Sequence, residues 1–211
     1  PFDRAVPQRR LWPAIFASLL AGLGSASLSG QTLSFDEGWS IATDAGRAYI
    51  TAGTTERGVA VNPVSGNVIV VSRAAGTWGV VLDGATGDEL FDLDMTGVSG
   101  GTFPLSTVGV ADDGVIYAAN LVVSATDTGP FRIYRWASED ASPTVAYVGA
   151  PSEAMRFGDS LDVRGMGADT QIVAGTSGGA TGVRFAVFST EDGENFEATG
   201  FSPDGVAAGA L

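Results

Sequence analysis

The 211-residue chain is 45% hydrophobic and 17% charged and holds 30 glycines, a balance that suits one sizeable domain of short strands and tight turns. It has no Cys, no His and no Lys, so all eleven basic residues are arginine. Those absences exclude a Ser-His-Asp triad, a thiolate nucleophile, a Schiff-base or P-loop lysine, a His or Cys zinc site and any disulfide.

Residues 1–30 read as a secretory signal peptide. Arg4, Arg9 and Arg10 precede an apolar run from Leu11 to Leu23, and the small residues of "GSASLSGQ" follow. The run is shorter than the roughly 20 apolar residues that span a bilayer, and Pro13 interrupts it, so no integral membrane span is expected. The expected localisation is secreted, periplasmic or at the cell surface. Removing residues 1–30 leaves eight arginines against 23 carboxylates, a net charge of −15. Such a surface repels phosphate backbones and anionic lipid, so nucleic acid is not an expected partner.

Residues 31–211 form the second predicted region, a β-propeller-like repeat domain. "RGVAVNPVSGNVIVVSR", "STVGVADDGVIYAANL" and "DSLDVRGMGADTQIVAGT" share one plan: an alternating strand, a Gly, Asp or Pro turn, then a more continuous apolar strand. Val59, Val108 and Leu161 align at this level. Each unit continues with two more strands: "GVVLD" and "ELFDL", "FRIYRW" and "TVAYV", "VRFAVFS" and "NFEAT". Four strands per repeat of about 40–50 residues is the pattern of a propeller blade. The expected fold is all-β: about three four-stranded antiparallel blades and partial blades in an incomplete ring. A hairpin-like "WSIATDAGRAYITAG" at 39–53 is expected to belong to a preceding or ring-closing blade, and the chain reads as part of a longer polypeptide.

"DGATGD", residues 83–88, falls between the third and fourth strands of the first unit. Gly84 and Gly87 supply turn geometry, and Asp83, Thr86 and Asp88 can bond local amides. A calcium loop is the alternative, but the ligand pattern of an EF-hand is missing. The matching octet of the third unit, "STEDGENF" at 189–196, resembles the Asp-box hairpin of sialidase-type propellers through Ser189, Gly193 and Phe196. Glu191 stands where that box has Asp, and Asn195 where it has Thr. The resemblance implies architecture only, since the box is a structural turn in that family.

Segments "TTERGVAVNPVSGNVIVVSR", "TGVSGGTFPLSTVGVADDGVIYAANL" and "PFRIYRW" resemble an uncharacterised family of exported bacterial repeat domains. That resemblance implies a secreted propeller-like domain and carries over no catalytic residue. Binding is expected where the longer connections emerge, opposite the short turns. The candidate binding residues are Glu56, Arg57, Arg73, Trp78, Thr107, Asn120, Asp159 and Asp162, with Ser106, Ser160 and Thr176 at neighbouring positions. Local hydrogen bonding to loop backbone is the plainer role for any one of them. No catalytic or metal-ligating set is assigned and no cofactor is expected, calcium being conceivable. The function preferred is a secreted, non-catalytic binding or structural module for a glycan or protein partner. The alternative is a carbohydrate hydrolase or lyase using Asp159, Asp162 or Glu56 as acid or base, with calcium as electrophile.

Overall fold

The computed structural model describes residues 38–43, 45–126, 128–151, 155–177 and 183–202. The predicted signal peptide lies outside them. Among the described residues there is no α-helix, only strands and one 3-10 turn at Gly167–Asp169, and no helix is long and apolar enough to cross a membrane.

The chain builds three antiparallel meanders of four strands in sequence order. Sheet 1 contains β1 (Glu56–Val61), β2 (Val68–Ser72), β3 (Trp78–Leu82) and β4 (Glu89–Asp92). Sheet 2 contains β5 (Phe103–Val110), β6 (Ile116–Leu121), β7 (Phe131–Trp136) and β8 (Thr144–Gly149). Sheet 3 contains β10 (Asp162–Arg164), β11 (Gln171–Ser177), β12 (Phe185–Thr190) and β13 (Phe196–Phe201). The two-residue β9 (Arg156–Phe157) adds to the far end of β11, and its Phe157 also bridges to Val122 just beyond β6. This short strand ties sheet 3 to sheet 2, and the sequence gives no sign of it because two residues carry no periodicity.

Alternation explains how the sheets stack. In sheet 1, Ile69, Val71 and Val81 face Ile116, Ala118, Tyr134 and Trp136 of sheet 2. The opposite face of sheet 2, with Tyr117, Ala119, Phe131 and Ile133, meets Ile172, Ala174, Ala186 and Phe188 of sheet 3. Sheet 2 is therefore covered on both sides, and all six residues of β6 are buried. Each large apolar side chain in these layers contributes about 2–3 kcal/mol through burial.

The first strands of the three sheets lie side by side, β1 against β5 and β5 against β10. Their approach is close enough to require glycine. A Cβ on Gly58 would stand 2.9 Å from the Val108 nitrogen and 3.1 Å from the Thr107 Cα, and one on Gly109 would stand 2.6 Å from Val163 Cγ2. Strand pairing also refines the repeat: Val59, Val108 and Asp162 each sit two residues before the last pair of their hairpin. Asp162, not Leu161, is the third member of that level.

Residues 39–43 and 45–50 form no strand. On the outer face of sheet 1 their Trp39, Ile41, Tyr49 and Ile50 pack on Val68, Val70, Val80 and Leu82 of β2 and β3, while Val59 and Val61 of β1 stay exposed. The hairpin expected there does not form within these residues because the apolar side chains are spent on the sheet beneath them.

Candidate functional site

The two ends of the first strands differ in chemistry. At one end are the hairpin turns, and every one after the first carries a carboxylate while none carries an arginine. These turns are closed structures. In "DGATGD" the Asp83 carboxylate accepts from the amides of Ala85 and Thr86 at 2.8 and 2.9 Å, and the Thr86 hydroxyl donates to Asp88 at 2.9 Å. The amide bonds hold the Asp83 carboxyl below its usual range. Trp39 lies against Gly87 and donates its indole N–H to the Gly84 carbonyl at 2.9 Å. "NPVSGN" at 62–67 repeats this geometry with Asn62, whose side-chain oxygen accepts from the amides of Val64 and Ser65.

The turns also bind one sheet to the next. Glu139, between β7 and β8, accepts from Asn62 at 2.7 Å, Ser65 at 2.5 Å and Asn67 at 2.7 Å, all three in the first turn of sheet 1. Asp113 accepts from the Gly167 amide of sheet 3 at 3.0 Å. Glu139 was not a sequence candidate; its partners lie more than seventy residues away, so no local motif marks it. In the octet 189–196 the carboxylate that holds the backbone is Asp192, which accepts from the Glu194 and Asn195 amides at 2.8 and 2.7 Å. That is one position after the place the Asp-box gives its Asp.

At the other end the polar residues form an ion-pair cluster. Asp159 is gripped through both carboxylate oxygens by Arg156, and Arg57 stands 3.7 Å away on its other side. The hydrogen bond from Arg156 and then the Arg57 charge hold the Asp159 carboxyl below its usual range against a burial cost. Ser177 donates to the same carboxylate at 3.5 Å. For Glu56, burial pushes the carboxyl up, but its own amide, the Thr51 amide at 2.7 Å and the Thr55 hydroxyl at 2.9 Å outweigh it and the net direction is down. Three buried polar atoms, Arg57 Nε in β1 and Ser106 Oγ and Thr107 Oγ1 midway along β5, have no partner among the described residues. Arg156 was not singled out in the sequence, although its spacing of three from Asp159 is the signal that marks it.

The remaining predicted residues go elsewhere. Arg73 lays its guanidinium over the Phe103 ring, 3.9 Å from the centroid. Trp78 packs on the outer face of sheet 1 and donates its indole N–H to the Ala74 carbonyl at 2.7 Å, so it does not join Arg57. Asn120 is fully buried and bonds the Pro130 carbonyl and the Arg132 amide, filling a gap in the β6–β7 ladder. Asp162 lines the open face of sheet 3. Thr176 is buried and donates to the Val183 carbonyl at 3.0 Å. Among the described residues no three carboxylates converge as a metal cage.

A crystal structure of a DUF4623 family protein from Bacteroides eggerthii DSM 20697, solved at 1.91 Å, superposes on 71% of this chain with a TM-score of 0.56 at 21% identity. The likeness is one of fold. DUF4623 is an uncharacterised family, and the matched part is 36% of the solved chain, so this chain spans about a third of that protein's length. No family model matches the chain, and no curated protein matches it.

Proposed function

We propose that the chain is an exported, non-catalytic binding or structural module with a β-propeller-like arrangement, whose ligand is a glycan or a protein partner. The propeller reading draws support from three consecutive four-stranded meanders stacked face to face with their first strands side by side. Export rests on the order of charged, apolar and small residues in 1–30. The turn end is committed to holding sheets together, which leaves the opposite end for a partner.

The observation that carries the non-catalytic reading is the state of the carboxylates there. Asp159 is neutralised by two arginines and Glu56 by amides and a hydroxyl, and both titrate lower than usual. A general acid or base working near neutral pH needs the opposite direction. Arg57 and the unsatisfied hydroxyls of Ser106 and Thr107 suit a neutral polar ligand such as a sugar, because buried polar atoms of this kind ordinarily find water or ligand as partners.

The test is expression of the whole chain in a bacterial secretion host, followed by a glycan screen. Recovery of a protein shortened by about the length of the N-terminal segment, and glycan binding weakened by Arg57→Ala or Asp159→Ala but not by Asp192→Ala, are the expected results. An uncleaved cytoplasmic product counts against export, and weakening by Asp192→Ala alone counts against the choice of end.

A further inference from the structure

Sheet 2 has both faces covered, and on the outer face of sheet 1 Trp39, Ile41, Tyr49 and Ile50 cover β2 and β3 while Val59 and Val61 of β1 stay exposed. Sheet 3 has one face on sheet 2 and the other open among the described residues. Because Ile172, Ala174, Ala186 and Phe188 point inward, the alternate residues Val173, Phe185 and Val187 point out. Val173 is 37% exposed and Phe201 42%, and the Phe185 and Phe201 rings stack at 5.2 Å between centroids with 12° between planes. A shallow cleft of about 430 Å³ lies on this face, lined by Ser160, Leu161, Asp162, Val173, Gly175 and Phe185.

We propose that this face is the contact between two copies of the chain, packed sheet on sheet about a two-fold axis. The chain already buries such faces against another sheet twice, so the mode of packing continues two interfaces present within it. A contact between two identical chains closed by a two-fold axis uses the same surface on both. Charge supports the pairing. Asp162 and Arg164 project from this face of β10 on either side of the inward Val163, with opposite signs, so a two-fold axis passing between them sets each against the other. Four strands about 4.8 Å apart and about five residues long give a footprint of about 20 by 17 Å. With side-chain relief that buries on the order of 1,000 Å² over both copies, the lower bound of a specific interface, so the dimer is a weak one of micromolar dissociation constant.

The chain has no cysteine, so a single introduced thiol reports on one position. The experiment is light scattering coupled to size exclusion from about 1 to about 200 µM, on the wild type and Val173→Glu, with bismaleimide cross-linking of Val173→Cys. Expected are twice the monomer mass at the upper concentrations, monomer on dilution, and a Val173→Glu variant that stays monomeric with an unchanged circular dichroism spectrum. Val173→Cys should be cross-linked by a bismaleimide of about 10 Å span, the spacing of stacked sheets, while Val59→Cys on the exposed β1 part of sheet 1 should not; this arm decides should Val173→Glu fail to fold. Monomer at every concentration overturns the proposal, as does a dimer that survives Val173→Glu. A monomer whose Cys-substituted position 173 resists a soluble thiol reagent also overturns it, since another stretch of the same chain then covers the face.

Discussion

Asp83 and Asp88 bracket one turn and have unequal work. Asp83 accepts from two backbone amides, whereas the Asp88 carboxylate accepts from the Thr86 hydroxyl alone. Asp83→Ala should therefore lower the melting temperature more than Asp88→Ala, which should move it by less than about 2 °C. Calorimetry on the two variants checks the order, and a calcium-induced rise that disappears in Asp88→Ala would restore the metal loop. Asp159 makes a prediction in pH. Its folded-state carboxyl is depressed below the unfolded value of about 3.9, so the stability it supplies is present above that pH and is lost as pH falls through the lower folded value. Asp159→Asn should be less stable than wild type at pH 7 by at most about 1 kcal/mol, since the pair is partly exposed, and the gap should narrow as pH falls below the unfolded carboxylate value of about 3.9. Denaturant titrations at a series of pH values measure it, and a gap that widens in acid would contradict the sign.

Elements are held together by close contact at one end and by polar ties at the other. Where β1 meets β5, Gly58 leaves no room for a methyl group: the atoms in the way include the Val108 nitrogen and the Thr107 Cα, which are backbone and cannot rotate aside. Gly58→Ala should destabilise by about 1–3 kcal/mol, as overpacking does. Gly97→Ala has nothing within 4 Å of its added Cβ, so any cost there comes from its positive φ alone, and the comparison by chemical denaturation separates crowding from backbone strain. Aromatic residues of β7 tie the connection between β4 and β5: Trp136 donates to the Asp94 carbonyl at 2.8 Å, and Tyr134 exchanges hydrogen bonds with Ser99. Such ties explain why a ten-residue connection without a strand of its own stays packed between two sheets.

For the whole molecule, charge is the property with the longest reach. A net charge of −13 on the full chain, with the turn end lined by carboxylates, gives a field that repels polyanions. At the opposite end Arg57 and Arg156 are paired with Asp159, and Arg73 lies over the Phe103 ring. Fluorescence anisotropy with single- or double-stranded DNA or RNA at physiological salt should show no binding at micromolar protein, and saturable binding there would require a basic surface outside the described residues.

Local pattern was enough to locate the strands of the three meanders, though not the two-residue β9. Alternating valines in 57–61 and continuous apolar runs in 68–71 and 116–121 appear as β1, β2 and β6, because burial on one or both faces of a pleated strand is written directly in residue order. Turn chemistry was equally legible, since an Asp or Asn that bonds amides two and three residues on acts within its own segment. The pairing of Asp159 with Arg57, the reach of Glu139 across to Asn62, Ser65 and Asn67, and the bridge from Phe157 to Val122 were decided only when the sheets stacked. Placement on an outer face likewise took Trp78 away from Arg57, and burial turned Asn120 into a backbone tie. The physical reason is range: a side chain's own period fixes which face of its strand it occupies, but what stands opposite that face is set by contacts between residues tens of positions apart.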